Sequence, residues 1–140
     1  MIFYLDTSVV VAALTKETGS DRIDAWLSTQ RSEVAISEWV KTEVSSALSI
    51  KLRTGQISAE GRAAALTLFA RIARESFGLL GISGIDFQMA AHYADRHTLG
   101  LRAADALHLA ICSKHGAALC TRDKRLVRAA AELGLQTALL

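Results

Sequence analysis

Proline is absent from the 140 residues, aromatics make up only 6%, and there are two cysteines. The lack of proline argues against Pro-rich linkers and loop-heavy all-β folds. Cys112 and Cys120 read as two buried reduced thiols suited to a reducing cytoplasm, rather than as a disulfide or a zinc site. The four histidines, His92, His97, His108 and His115, show no metal-motif spacing with those cysteines. No apolar run reaches membrane-spanning length, so no membrane role is expected. The apolar start is not a targeting segment either, because no basic residue precedes it and Asp6 interrupts it. Neither sign of charge dominates: a net +2 is too small to mark a nucleic-acid binder by itself.

What is present points to one helix-rich domain spanning 1–140, expected in the cytoplasm. Apolar residues reach 51%, with alanine and leucine prominent, which favours helix and supports a single core. Short apolar runs at 2–5, 34–36, 79–82 and 117–120 read as strands buried on both faces, with a last edge strand at 135–140. Between them lie helical patterns at 8–14, 20–29, 38–53, 58–76, from Ser83 to about His97, 102–115 and 124–133. Gly55 separates the third and fourth as a helical hairpin, and Ser83-Gly84-Ile85-Asp86 fits a capping box. Strands alternating with helices give an α/β sandwich around a mostly parallel sheet.

Four acidic residues stand where packing alone would not put them. Asp6 follows the first strand, where open α/β sheets bind ligands, although it would also cap the next helix. Asp123 repeats the arrangement after 117–120, with Thr121 beside it as Thr7 and Ser8 stand beside Asp6. Glu43 borders the apolar stripe of its helix, and either belongs to a site or pairs with Lys41 or Arg53. Asp105 begins a helix that is apolar nearly all round, where it meets the helix dipole or serves a site. A hard divalent cation, Mg²⁺ or Mn²⁺, explains all four together, since it takes oxygen ligands and removes their mutual repulsion. Thr7, Ser8 and Thr121 then orient carboxylates, while Arg102 and Arg122 are candidates to hold substrate phosphates, with Lys124, Arg125 and Arg128 nearby. His108, one turn after Asp105, reads as a core histidine, and Trp26 and Trp39 as packing residues.

Tyr-Leu-Asp-Thr-Ser at the start, Glu43 within 37–44, Leu-Arg-Ala-Ala-Asp-Ala-Leu-His-Leu-Ala at 101–110 and Thr-Arg-Asp at 121–123 occur in that order along the whole chain. Together they resemble PIN domains, specifically the VapC-type toxins of bacterial toxin–antitoxin pairs. The resemblance implies a PIN-like three-layer sandwich with a five-stranded parallel sheet in order 3-2-1-4-5. It implies a Mg²⁺- or Mn²⁺-dependent endoribonuclease with Asp6, Glu43, Asp105 and Asp123 as its acidic quartet, metal-binding and catalytic. A homodimer and a cognate antitoxin protein are implied as well. The rival readings are a housekeeping RNA-processing nuclease of the same fold and a non-catalytic binding module. A phosphotransfer or receiver domain fits less well, because the chain has Ser8 where a second early aspartate is wanted.

Overall fold

The computed structural model describes all residues 1–140. Its order is β1 (Ile2–Leu5), α1 (Thr7–Leu14), α2 (Ser20–Thr29), β2 (Glu33–Ser37), α3 (Glu38–Arg53), α4 (Ala59–Glu75), β3 (Gly78–Leu80), α5 (Gly84–Asp95), α6 (Ala103–His115), β4 (Ala118–Thr121), α7 (Lys124–Glu132) and β5 (Thr137–Leu139). The strands form one sheet in the order β3-β2-β1-β4-β5. Every pairing is parallel, a stricter arrangement than the mostly parallel sheet read from the sequence.

β1 is central because its residues can be buried on both faces. Tyr4 and Leu5 are fully buried, and Leu119 and Cys120 match them on β4. Each large apolar side chain removed from water contributes roughly 1.5–3 kcal/mol, so these strands and the Leu107–Cys112 stretch of α6 supply much of the stabilisation. Helices α1, α2, α3 and α4 pack as one group, α5 and α6 as another, and α7 lies against β4 and β5. α3 stops at Arg53, and Gly55, at φ 74°, takes the left-handed conformation that turns the chain into α4.

Differences from the sequence reading sit at element ends. The fifth helix stops at Asp95, not near His97; a separate 3-10 turn at His97–Leu99 follows and buries Leu99. The last strand covers Thr137–Leu139 rather than 135–140, because an edge strand has one neighbour only and β4 is four residues long. The Ser83–Asp86 capping box forms: the Ser83 amide donates to the Asp86 carboxylate at 2.7 Å, and Lys114 reaches across from α6 to the same oxygen at 3.0 Å. No helix is long and apolar enough to cross a membrane. Cys112 and Cys120 are free and buried. Burial, with the negative charge of Asp6 nearby, pushes the Cys120 thiol up to about 12, so it stays protonated and unreactive at neutral pH.

Candidate active site

The sheet delivers three strand ends to one edge. β1 ends into Asp6, β2 ends at Ser37 and opens α3 with Glu43 on it, and β4 ends into Thr121 and Asp123. Ligands of open parallel sheets bind beyond this carboxyl-end edge.

Asp6 is 6% exposed and caps α1: its Oδ1 accepts from the Val9 amide at 3.1 Å and from the Ser8 hydroxyl at 2.6 Å. Asp123 caps α7 in the same manner, its Oδ1 accepting from the amides of Arg125 at 2.8 Å and Leu126 at 3.4 Å. The Thr121 hydroxyl accepts from the Asp123 amide at 3.0 Å and so fixes the turn that carries it. Glu43 Oε1 accepts from the Thr7 hydroxyl at 2.8 Å and from His108 Nε2 at 2.6 Å. Capping and site roles are therefore compatible. In all three acids one oxygen takes every protein hydrogen bond and the other takes none. None of these second oxygens is sealed in the interior, so each can meet a ligand or solvent.

The fourth acid, Asp105, is half-buried on the first turn of α6. Burial raises its pKa above the ordinary carboxylate value; the charges of Asp123 and Asp6 add to this, while the Arg102 backbone and His108 oppose it without cancelling it. Asp105 thus feels the charges of both Asp6 and Asp123. Glu43 joins them through Thr7, the residue after Asp6. Burial also works against ionising Glu43, yet the hydrogen bonds from His108 and Thr7 and the charge of His108 hold it below the usual carboxylate range. No three His, Cys, Asp or Glu side chains close into a preformed ligand cage. An open arrangement of carboxylates suits a hard cation that keeps waters and takes substrate oxygens.

Of the two candidate cations, one differs from expectation. Arg102 precedes α6, and with Arg125, Asp105 and Asp123 it lines a small depression of about 30 Å³ beside the acids. Arg122 is not free to hold substrate. Its guanidinium bonds the Glu17 carboxylate and the Thr18 carbonyl, locking the α1–α2 loop to the β4–α7 turn. Gly19, at φ 91°, permits this approach, since a Cβ there would stand 3.1 Å from Arg122 Nη2. Glu43 uses neither Lys41 nor Arg53; Lys41 pairs with Glu38 at 3.0 Å. His108 is buried as expected, but it also contacts Glu43, a role that sequence reasoning missed. Trp26 packs edge-on against Phe3, and Trp39 is half-buried against the core.

The raised pKa of Asp105 gives a stability prediction. A carboxyl that binds its proton more tightly when folded disfavours the fold once pH exceeds the ordinary carboxylate range. Asp105→Asn should therefore raise the metal-free melting temperature at pH 7. The gap should shrink as pH falls through the ordinary Asp range and close below ~3, where the carboxyl is protonated folded or unfolded. Melts across that range check it. A mutant that melts lower at pH 7 would assign Asp105 to favourable contact with the helix dipole.

The chain belongs to the PIN-domain family, whose pattern matches residues 3–132. Within that family it is 32% identical over 139 residues to Ribonuclease VapC35 of Mycobacterium tuberculosis, covering 96% of this chain and 93% of that protein. Two solved structures share the fold at lower identity. VapBC2 from Rickettsia felis, bound to a promoter DNA fragment, superposes with a TM-score of 0.70 at 18% identity, covering all of this chain and 99% of that one. VapC20 of Mycobacterium tuberculosis, a sarcin-ricin loop cleaving toxin, gives 0.72 at 17% identity, covering 91% and 94%.

Proposed function

We propose that this chain is a metal-dependent endoribonuclease and the toxin of a toxin–antitoxin pair, hydrolysing RNA phosphodiesters with Mg²⁺ or Mn²⁺ held by Asp6, Glu43, Asp105 and Asp123. The observation that carries the reading is the shared presentation of Asp6, Glu43 and Asp123: one oxygen anchored, the other open at the carboxyl edge of the sheet. Such donors fit a hard cation that keeps waters and takes phosphate oxygens. When bound, the ion lowers the pKa of a coordinated water and polarises the scissile phosphate. A carboxylate oxygen of Glu43 or Asp123 would serve as proton acceptor at this edge. Ser8 and Thr7 keep Asp6 and Glu43 in place, and Thr121 does so for Asp123 through its amide. Arg102 and Arg125, which line the depression beside the acids, would hold RNA phosphates. The identity with a named ribonuclease over nearly the whole chain supports the activity.

The toxin role brings two protein partners. The cognate antitoxin is assigned to an apolar groove of about 610 Å³, floored by Val10, Leu14, Leu27, Phe69 and Ile72 from α1, α2 and α4. A second copy of the chain is assigned to α5, where Ile85, Phe87 and Met89 are 64%, 56% and 41% exposed. A cytoplasmic location accords with RNA as substrate.

The test is cleavage of single-stranded and hairpin RNA by the purified chain, with end-group analysis. In-line attack by water leaves 5′-phosphate and 3′-hydroxyl ends. Cyclic phosphate ends would instead mean attack by the ribose hydroxyl and would overturn the mechanism. Growth arrest on expression without the antitoxin separates the toxin from an RNA-processing enzyme of the same chemistry.

A further inference from the structure

A line of buried polar atoms runs through the core behind Glu43. Tyr4, fully buried on β1, places its hydroxyl 2.7 Å from Ser37 Oγ and 2.9 Å from His108 Nδ1. His108 is 3% exposed on α6, and its Nε2 lies 2.6 Å from Glu43 Oε1. The direction of donation follows from chemistry. An ionised carboxylate only accepts, so Nε2 must carry the hydrogen. His108 Nδ1, the Tyr4 hydroxyl and the Ser37 hydroxyl carry the line onward, each within hydrogen-bonding distance of the next. Ser37 Oγ in turn accepts from the Val40 amide at 3.4 Å, which opens α3. Every member is satisfied, and the line ends on one oxygen of one acid.

Stability alone does not call for this arrangement. Tyr4 belongs to the apolar core and His108 is buried between Leu107 and Leu109 on α6, and replacing a fully paired buried network by apolar groups of like shape can be nearly neutral for folding. What the network does is fix a carboxylate. Glu43 reaches the edge on a long side chain whose rotamers would otherwise scatter Oε2. Thr7 and His108, converging on Oε1 from different elements, leave Oε2 one direction to face.

We propose that His108, held by Tyr4, is a positioning residue that acts through Glu43, setting the affinity and alignment of the divalent-ion site without touching ion or substrate. This rests on Glu43 belonging to that site, as proposed above.

The experiment titrates Mn²⁺ into the purified protein and its variants, with binding read by electron paramagnetic resonance. His108→Leu, which fills the space without a donor, should weaken Mn²⁺ binding on the order of tenfold. His108→Gln, which can place an amide N–H near the position of Nε2, should recover affinity to within about threefold of wild type. Tyr4→Phe should fall between them. In a Glu43→Gln background, His108→Leu should add less than about twofold, because its route of action has gone. With an RNA oligonucleotide, His108→Leu should lower kcat and leave KM unchanged. If His108→Leu does not fold, Tyr4→Phe, which keeps the ring in the core, carries the same test. Unchanged Mn²⁺ affinity in His108→Leu, or equal losses in His108→Leu and His108→Gln, overturns the positioning role. Asp6→Asn separates the two levels. If it too binds Mn²⁺ as wild type does, the ion site itself is wrong. If it loses affinity while His108→Leu does not, only the positioning role falls.

Discussion

Asp6→Asn should remain folded and lose RNA cleavage by roughly 10²–10³-fold, the loss expected when several kcal/mol of metal-assisted charge stabilisation disappears. Fold and activity separate cleanly at this residue. An amide oxygen still accepts from Ser8 and from the Val9 amide, so α1 keeps its cap. Asp123→Asn likewise retains an acceptor for the Arg125 and Leu126 amides, and Glu43→Gln one for Thr7 and His108. Asp6→Asn and Asp123→Asn should lose most activity at nearly unchanged melting temperature, and Asp105→Asn should lose activity while melting higher. Cleavage rates paired with melts on the same preparations check this. A variant that loses activity and stability together would place its acid in the scaffold instead.

Leu27→Arg or Ile72→Arg should abolish capture of the cognate antitoxin and leave free cleavage untouched. Both side chains are half-buried in the groove among α1, α2 and α4. Seating a partner's apolar side chains there would bury the new guanidinium without a guaranteed counter-charge, a penalty of several kcal/mol. The affinity should fall by at least about 100-fold, equivalent to ~2.7 kcal/mol. Wild-type protein coexpressed with the antitoxin should form a stable complex with suppressed cleavage, whereas the variants should purify alone and active. Coexpression pull-downs with an RNA assay on the eluted protein decide it. A wild-type complex that cleaves as fast as the free toxin would remove the inhibitory role.

How much of this was legible in the sequence depended on the range of the interaction. Asp6 and Asp123 could be read because strand, turn and cap are all local, and the same local pattern occurs twice. Asp105 was visible because a charge on a helix buried nearly all round breaks its own periodicity. The strand order came through family resemblance, since short apolar runs such as 34–36 and 79–82 do not encode their neighbours. His108 shows the limit. Its place one turn after Asp105 is local, but its partners Tyr4 and Glu43 lie 104 and 65 residues earlier, so its role emerges only when β1, α3 and α6 meet. Arg122 misled for the same reason. A cation beside Asp123 looks like a phosphate contact until the loop carrying Glu17, 105 residues away, folds against it. The helix ending at Asp95 rather than His97 reflects a tertiary demand, the burial of Leu99 under the turn into α6.

The central claim is that these carboxylates work by holding a divalent ion over an RNA phosphate. The most direct measurement follows cleavage of one labelled RNA while the ion is removed and restored. Cleavage should stop in excess EDTA and return when Mg²⁺ or Mn²⁺ is supplied above the chelator, and Asp6→Asn should stay silent throughout. Undiminished cleavage by the wild type in excess EDTA would contradict the account.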